Sequence, residues 1–445
     1  MELDSIFKSY DIRGLVPSQF DEEVATLIGA AFADFSDVPE LAVGRDCRES
    51  SPSLAAAFSA GVTSRGTNVR DLGITTTDMV SFAAGFLDMP GAMITASHNP
   101  KSYNGIKLCL AGAAPVGIDT GLTDIKAMAS SGLTDSLLTG EIFERALLDE
   151  YLEHMLGIVD PSALNSLRVV VDGGNGVAGV VVPSLFDRLP AELVGLYLEP
   201  DGTFPNHHPD PLRPENLLDL KEKVRRVNAD IGVAFDGDAD RIVIVDDEGR
   251  SLSGSAVTAI AARWFLSRNL GASIVHNLIC SKAVPEIVTA SGGVPVRTRV
   301  GHSYIKAVMA ETDAVFGGEH SGHYYFRENY RADSGILAML ILLLVLSEDG
   351  RKLSVLRREF EPYAQSGEVN FRVDDPEAVV AAIAGEFPDA DIDYLDGITV
   401  DLGTSWFNLR SSNTEPALRL NAEAPDHQLV DDLVAQVGKL IGEAV

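Results

Sequence analysis

A strand-like apolar segment followed by a glycine-marked loop occurs in three successive parts of this chain, and helix-like segments lie between them. These strand-like segments include 92–95, 167–171 and 273–277. Regular alternation of strands and helices is typical of α/β domains. The sequence therefore predicts an α/β protein with three related units. A shorter stretch from about residue 361 mixes strand and helix patterns, and it predicts a smaller α+β unit at the C-terminal end.

Length and the positions of these segments predict four domains. Their expected limits are 1–150, 151–250, 251–360 and 361–445. A helix-like stretch near 142–156 is expected to bridge the first two units. The longest apolar stretch, Gly335 to Leu346, is too short to span a bilayer and predicts a buried helix.

Charge excludes two classes of partner. The chain has 65 acidic and 35 basic residues, which gives a formal net charge of -30. Nucleic acid and anionic membranes would repel such a chain, so neither is expected as a partner. The charge is spread along the chain and lysine is scarce, which suggests adaptation to high salt.

The cysteines and the N-terminus indicate an intracellular protein. Cys47, Cys109 and Cys280 are far apart in the chain, so buried thiols are expected rather than a disulfide framework. The opening segment is acidic and lacks the pattern of a secretory signal, which predicts a cytoplasmic location.

The first chemical motif is Thr95-Ala96-Ser97-His98-Asn99-Pro100, followed by Asn104-Gly105-Ile106-Lys107. A serine hydroxyl is a poor nucleophile unaided, but it is useful if it carries a phosphoryl group that cations stabilise. Lys107 follows a glycine turn and can return towards Ser97. The alternative interpretation is a polar turn with a helix-capping serine.

The second motif places three aspartates, Asp236, Asp238 and Asp240, in a tight loop after an apolar segment and before Arg241. Carboxylates at alternate positions can converge on one hard cation, and oxygen ligands favour Mg²⁺. Two alternatives are a solvated acidic turn and a calcium loop, although the later glutamate of a calcium loop is missing.

The third motif is Gly317-Gly318-Glu319-His320-Ser321-Gly322-His323. Glu319 and Ser321 can bind sugar hydroxyls, and His323 can carry a proton near neutral pH. The alternatives are a loop with a structural histidine and a metal site formed by His320 and His323.

A fourth motif, at 410–416, combines a guanidinium, hydroxyls and backbone N–H groups that can cradle a phosphate dianion. A simple turn is the alternative. Two weaker signals lie elsewhere: Arg13 could hold a phosphate on Ser97, and His302 and Lys306 could lie in a loop that faces the substrate.

These motifs, in this order, resemble those of the α-D-phosphohexomutase family of phosphomannomutases and phosphoglucomutases. The resemblance covers nearly the whole chain and implies four domains around a central cleft, each contributing one loop. It implies that Ser97 is the phosphoserine and shares Mg²⁺ with the three aspartates. The other implied roles are proton transfer for Lys107 and His323, and a place near the phosphoryl group for Arg13 and Arg241. Glu319 and Ser321 would bind sugar hydroxyls, and Arg410, Ser412, Asn413 and Thr414 would bind the phosphate that does not react. His98 is predicted to be catalytic, and His302 to bind substrate.

The implied reaction interconverts hexose 1-phosphate and hexose 6-phosphate through a hexose 1,6-bisphosphate, which also acts as activator. The third motif favours mannose; glucose or both sugars are the alternative, and glucosamine is less favoured. A Mg²⁺-dependent phosphatase, a kinase and a sugar-phosphate-binding regulator are the competing functions, although a P-loop motif is absent. Monomer and homo-oligomer both stay open.

Overall fold

The structure, a computed structural model, describes residues 3–131, 139–411 and 417–444. Its strands form four sheets, each built from one continuous part of the chain. Within the described ranges, every helix is too short or too polar to cross a membrane.

The first sheet is mixed, with strand order β1-β5-β4-β2-β3-β7 and β6 beside β5. Its strands are β1 (Ile12–Leu15), β2 (Glu40–Arg45), β3 (Asn68–Ile74), β4 (Gly91–Ile94), β5 (Tyr103–Leu110), β6 (Ala114–Pro115) and β7 (Ile142–Glu144). The helices of this part are α1 (Glu22–Ser36), α2 (Ser51–Thr63), α3 (Thr77–Phe86) and α4 (Leu122–Ser131). Strand β4 is parallel to β2 and antiparallel to β5.

The second sheet has the order β11-β10-β8-β9. Its strands and helices are α5 (Leu148–Ile158), β8 (Arg168–Asp172), α6 (Ala178–Phe186), β9 (Glu192–Leu196), α7 (Leu218–Val227), β10 (Ile231–Phe235) and β11 (Ile242–Asp246). Phe235 pairs with Ile242, so β10 and β11 form an antiparallel hairpin. The hairpin compresses residues 236–241 into one tight loop.

The third sheet has the order β13-β12-β14-β15. Its elements are α8 (Gly254–Arg268), β12 (Ser273–Asn277), α9 (Ala283–Ala290), β13 (Val294–Thr298), α10 (His302–Thr312), β14 (Phe316–Gly318), β15 (Tyr324–Phe326), α11 (Gly335–Asp349) and α12 (Leu353–Leu356). Helix α11 is buried from Gly335 through Leu346, which confirms the predicted buried helix.

The fourth sheet is antiparallel, with the order β16-β20-β19-β18-β17. Its elements are β16 (Ala364–Arg372), α13 (Pro376–Gly385), β17 (Asp391–Asp393), β18 (Ile398–Asp401), β19 (Trp406–Ser411), β20 (Ala417–Ala424) and α14 (His427–Ala444). Short 3-10 helices lie at Leu3–Ser5, Ala111–Ala113, Ile118–Thr120, Pro161–Ala163, Pro214–Leu217, Arg327–Asn329 and Arg357–Glu359. Three α/β parts and a smaller α+β part match the predicted fold class.

The largest apolar core joins the first three parts of the chain, and α11 lies within it. The fourth sheet has its own core, which among the described residues shares no member with the large one. Contacts between the third and fourth parts include ion pairs: Lys282 Nζ lies 2.9 Å from Asp401 Oδ1, and Arg297 pairs with Asp393. We call this contact the polar seam.

Asp78, near the start of α3, connects distant helices. Its carboxylate accepts hydrogen bonds from Thr76, from Tyr151 of α5 and from Ser334, the N-cap of α11. The side chain is fully buried. Asp78 therefore ties the first part of the chain to the second and third.

The predicted helix at 142–156 is wrong in its first part. Residues Ile142–Glu144 form β7, which pairs in parallel with β3, and the helix begins only at Leu148. Ile142 is 52% exposed at the sheet edge. The apolar pattern that suggested a helix face therefore belongs to an edge strand whose partner lies far away in sequence.

Candidate active site

Ser97 lies in the loop between β4 and β5, immediately after a buried strand. Its side chain is 1% exposed, and its Oγ donates to Asp236 Oδ2 at 2.7 Å. His98 Nδ1 lies 3.2 Å from Ser97 Oγ, and Arg241 Nη2 donates to Ser97 Oγ at 3.2 Å. The hydroxyl thus faces a carboxylate and a cation at once.

The three aspartates of the hairpin loop converge, as the motif predicted. Asp236, Asp238 and Asp240 are buried, and each offers a carboxylate oxygen within 4.8 Å of the others. Burial and the neighbouring carboxylates of Asp240 and Asp238 raise the pKa of Asp236 well above its usual range. Three such groups in one buried loop are stable only with positive charge beside them.

Lys107 supplies part of that positive charge. Its Nζ donates to Asp238 Oδ2 at 2.7 Å and also to Asp240 Oδ2. Burial disfavours its ammonium form, but the three aspartates outweigh burial and raise the pKa of Lys107. Lys107 therefore joins β5, the strand that follows the serine loop, to the aspartate loop.

The residues present fit a divalent cation. Lys107 satisfies only one oxygen of Asp238 and one of Asp240, and the other oxygens, both Oδ1, are buried without a hydrogen-bond donor. Buried acceptors of this kind are normally satisfied. Clustered carboxylate oxygens are suitable ligands for Mg²⁺. A bound Mg²⁺ ion would therefore supply the partner that these two carboxylate oxygens lack.

Arg241 and His98 lie beside Ser97 Oγ. Arg241 Nη2 contacts His98 Nδ1, and Arg241 Nε lies 3.3 Å from Asp236 Oδ2. Burial first, and then Arg241 and other cations, lower the pKa of His98 well below its usual range, so its ring is neutral. Arg13 donates to Oδ1 of Asn99, which lies two residues after Ser97 in the same loop, and it forms an ion pair with Asp11.

A cavity of about 220 Å³ opens beside Ser97. It lies between the first three parts of the chain, and its lining includes Tyr10, Arg13, Ser97, His98, Lys107, Asp240, Arg241, His302, Lys306, His323 and Asp333. Burial lowers the pKa of His302 to about 4, and Lys306 adds to the effect. All six predicted catalytic residues, Arg13, Ser97, His98, Lys107, Arg241 and His323, therefore line one cavity.

The third motif approaches the aspartates from the opposite side. Arg241 and His323 form an isolated antiparallel bridge, and His323 Nε2 lies 3.4 Å from Asp240 Oδ1. Glu319 lies deeper, where it accepts from Tyr325 and from Asn277 Nδ2 at 3.0 Å. Glu319 and Ser321 do not line the cavity beside Ser97.

The alternative metal site through His320 and His323 has no support in the geometry. His320 Nδ1 lies 3.0 Å from Ser255 Oγ, and the residue lines a different, smaller cavity. The two histidines therefore face different surroundings.

The fourth motif is described only in part. Arg410, on β19, is buried and donates to Glu368 Oε2 and Asn421 Oδ1, both at 2.8 Å. It does not line the cavity beside Ser97. Ser412, Asn413 and Thr414 lie outside the described residues.

Two residues of the site were missed by sequence reasoning. Thr77 binds Asp238 twice, through Oγ1 to Oδ2 at 2.6 Å and through its N–H to the backbone oxygen at 3.0 Å. Asp333 lines the cavity and pairs with Lys306 at 2.9 Å. Each depends on a contact between distant parts of the chain, so no local pattern could have revealed it.

A serine hydroxyl beside a carboxylate cage, with lysine and arginine around it, is the arrangement of a metal-assisted phosphoryl-transfer enzyme. Comparison with known families agrees. The chain belongs to the phosphoglucomutase/phosphomannomutase family: family models of domains I, II and III match residues 4–132, 149–249 and 253–363, and the C-terminal domain model matches 368–440. It is therefore a phosphohexomutase.

Individual relatives cover almost the whole chain. A protein of Xanthomonas campestris named phosphohexose mutases is 41% identical over 98% of both chains. An Escherichia coli phosphomannomutase is 37% identical over 94% of both. A solved structure of a Burkholderia thailandensis family protein superposes with a TM-score of 0.91 at 32% identity, covering 99% of this chain and 97% of that one.

Proposed function

We propose that this enzyme interconverts hexose 1-phosphate and hexose 6-phosphate through phospho-Ser97 and a hexose 1,6-bisphosphate, with mannose as the preferred sugar. The contact that carries the proposal is the 2.7 Å hydrogen bond from Ser97 Oγ to Asp236 Oδ2. It places a hydroxyl that can carry phosphate beside carboxylates that would hold Mg²⁺ and beside cations that can offset the charge of the phosphate.

In the proposed reaction, phospho-Ser97 donates its phosphoryl group to the free hydroxyl of the bound hexose phosphate, and Ser97 is left as the free alcohol. Arg241 and Arg13 hold the charged group from one side. His98, being neutral, accepts from Arg241 and keeps the guanidinium aimed at Ser97 Oγ. The second phosphate of the bisphosphate then returns to Ser97, which regenerates the phosphoserine.

Asp236, Asp238 and Asp240, with an oxygen of phospho-Ser97, would hold Mg²⁺. When bound, the ion neutralises negative charge on the phosphoryl group that is transferred. Lys107 and His323 are the proposed proton carriers for the sugar hydroxyl. Both line the cavity, and they approach Asp240 from different domains.

The sugar end of the site is proposed for the third and fourth domains. Glu319, Ser321 and His302 would bind the sugar hydroxyls, and Arg410 with Ser412, Asn413 and Thr414 would hold the phosphate that does not react.

We also propose domain limits at 1–150, 151–250, 251–360 and 361–445, and each sheet falls inside one of these ranges. A cytoplasmic location stays a prediction.

The mannose preference is supported by the names of relatives, several of which are phosphomannomutases at 36–38% identity. Phosphoglucomutase activity, alone or beside mannose activity, is the nearest alternative. A coupled assay would compare mannose, glucose and glucosamine 1-phosphates with catalytic bisphosphate present. We expect the highest kcat/KM with mannose 1-phosphate; a higher value with glucose 1-phosphate would reverse the assignment.

Two further measurements separate a mutase from a phosphatase. The intact mass of the protein, before and after incubation with hexose 1,6-bisphosphate, should show one phosphoryl group that maps to Ser97. Release of inorganic phosphate should be slow relative to isomerisation. Phosphate release as the main reaction would instead identify a phosphatase.

A further inference from the structure

The backbone of Ser97 adopts a left-handed conformation, with φ +50°. A residue with a Cβ atom is uncommon in this region, and such strain persists only where the surroundings enforce it. The conformation matters because the direction of the Ser97 side chain follows from it. Something in the fold must therefore hold the serine backbone in place.

Arg48 makes the contacts that could do so. Its Nη2 donates to the backbone oxygens of Ser97 at 2.7 Å and Asn99 at 2.8 Å. Its Nη1 donates to the backbone oxygens of Pro100 at 2.8 Å and Tyr103 at 3.2 Å. One guanidinium therefore binds four carbonyl groups of the serine loop, which a lysine ammonium on a flexible stem cannot reproduce.

Asp46 completes the arrangement. It accepts from Arg48 Nε at 3.0 Å and from Thr95 Oγ1 at 2.7 Å. Thr95 Oγ1 in turn accepts from the Ser97 N–H at 2.9 Å. Both peptide groups that flank the Ser97 side chain are thus held by one ion pair, the carbonyl through Arg48 and the N–H through Thr95.

This ion pair is completely enclosed: the side chains of Arg48 and Asp46 are 0% and 2% exposed. A buried pair gives little stability compared with apolar packing, because both charges lose their hydration. Its presence beside the serine loop therefore calls for a role other than stability. The hydrogen bonds and the ion pair of Arg48 all go to groups outside the aspartate cage, and Arg48 does not line the cavity.

The carbonyl that Arg48 holds also contacts the metal loop. A Cβ added to Gly237 would lie 2.4 Å from the Ser97 oxygen, so the two loops approach each other backbone to backbone. The position of that oxygen consequently sets the spacing between Ser97 and Asp236. Arg48 can influence this spacing without touching either reacting group.

We propose that Arg48 and Asp46 are positioning residues that hold the Ser97 backbone in its left-handed conformation, so that Oγ points at the aspartate cage both with and without a phosphoryl group. The inference rests on the proposed role of Ser97. Small errors in the placement of a nucleophile cost large factors in rate. The pair should therefore act on kcat and leave the binding of the sugar phosphate nearly unchanged.

The test compares Arg48→Lys with Arg357→Lys. Arg357 is also largely buried, and its Nη1 and Nη2 bind Asp246 at 2.9 Å and the Ser251 oxygen at 3.0 Å, away from the serine loop. Thermal melting and circular dichroism establish that each variant folds. We expect Arg48→Lys to lower kcat at least about tenfold with KM nearly unchanged, and Arg357→Lys to lower the melting temperature with kcat unchanged.

A second pair of variants covers the case in which Arg48→Lys does not fold. Thr95→Val removes the hydroxyl that links Asp46 to the Ser97 N–H, and Thr95→Ser keeps it. We expect Thr95→Val to lose kcat, and Thr95→Ser to recover most of it, with similar KM values. Folded Arg48→Lys or Thr95→Val with wild-type kcat overturns the inference, as does an equal loss in Thr95→Ser and Thr95→Val.

Wild-type enzyme, measured in parallel, keeps the two proposals apart. If it neither isomerises hexose phosphates nor becomes phosphorylated on Ser97, the proposed function fails, and the positioning role fails with it. If wild type is active and the variants match it, only the positioning role of Arg48 and Asp46 is wrong.

Discussion

Ser97 Oγ donates to Asp236 Oδ2 across 2.7 Å, although 139 positions separate the two residues in the chain. The serine belongs to the first sheet and the aspartate to the second, so the contact exists only because the two domains pack together. Had these loops lain apart, the serine would have had no cation site beside it and a phosphoserine route would have had no physical basis.

Ser97→Ala should abolish turnover and spare binding. The variant lacks the hydroxyl that accepts phosphate, and loss of a nucleophile costs on the order of a thousandfold or more in kcat. Calorimetric affinity for hexose phosphate should be nearly that of wild type. Ser130→Ala, on the exposed face of α4, is the control and should stay fully active. Normal turnover in Ser97→Ala would falsify the serine route.

Removal of divalent metal should inactivate the enzyme reversibly. Chelator treatment is expected to abolish isomerisation, and added Mg²⁺ to restore it. Mg²⁺ at about one hundred times its Kd should also raise the free energy of unfolding by about 2.7 kcal/mol, because the ion binds only the folded state.

Asp238→Asn should lower the affinity of the enzyme for Mg²⁺ at least about tenfold. Added Mg²⁺ should therefore stabilise this variant less than it stabilises wild type. Asp34→Asn removes an equal charge at the surface, where Asp34 pairs with Arg65, and should bind Mg²⁺ as wild type does. Equal Mg²⁺ affinity in the two variants would remove the aspartate loop as the metal site.

Gly237→Ala should impair catalysis by forcing the two loops apart. The added methyl group would lie 2.4 Å from the Ser97 oxygen, far inside van der Waals contact. We expect kcat to fall about tenfold or more. Gly157→Ala is the matched control, since its Cβ would meet no atom within 4 Å in helix α5, and it should be slightly more stable with unchanged kcat.

Asp78 should make stability depend on pH. Burial raises its pKa to about 6, although hydrogen bonds from Ser334, Thr76 and Tyr151 oppose the shift, and Asp333 adds to it. Because the folded pKa exceeds the unfolded one, the favourable contribution is complete below the unfolded pKa near 4 and is lost as pH rises through about 6.

Between pH 7 and pH 5, wild type should therefore gain about 1.4 kcal/mol of stability relative to Asp78→Asn, which has no carboxyl group to protonate. Urea unfolding of both proteins across this range measures the difference. Stability curves that run parallel over the whole range would show that Asp78 does not titrate in this window.

The position and the possible ligands of a functional loop could be predicted from the sequence where that loop directly follows a strand. The aspartates follow β10 and Ser97 follows β4, so local pattern was enough to locate both loops and to suggest what each could bind. The same local view failed for β7, whose strand partner lies far upstream in sequence.

Contacts between residues far apart in the chain could not be predicted from the sequence pattern. Arg48 carries no motif of its own, and Thr77 reads only as part of a helix start, yet each binds a loop that carries the chemistry. Their importance comes from the groups that they bind: Arg48 binds the Ser97 oxygen, 49 positions away in its own domain, and Thr77 binds Asp238 of the second domain.

The polar seam has a consequence for how substrate enters and turns. The seam contains the ion pairs Lys282–Asp401 and Arg297–Asp393. When such a pair separates, water and dissolved ions can solvate both charges, so the cost in free energy is small. Exposing apolar side chains to water would cost much more. Opening the polar seam would leave the separate core of the C-terminal domain buried. In the proposed reaction, such an opening would give a sugar that carries two phosphates room to reverse end for end.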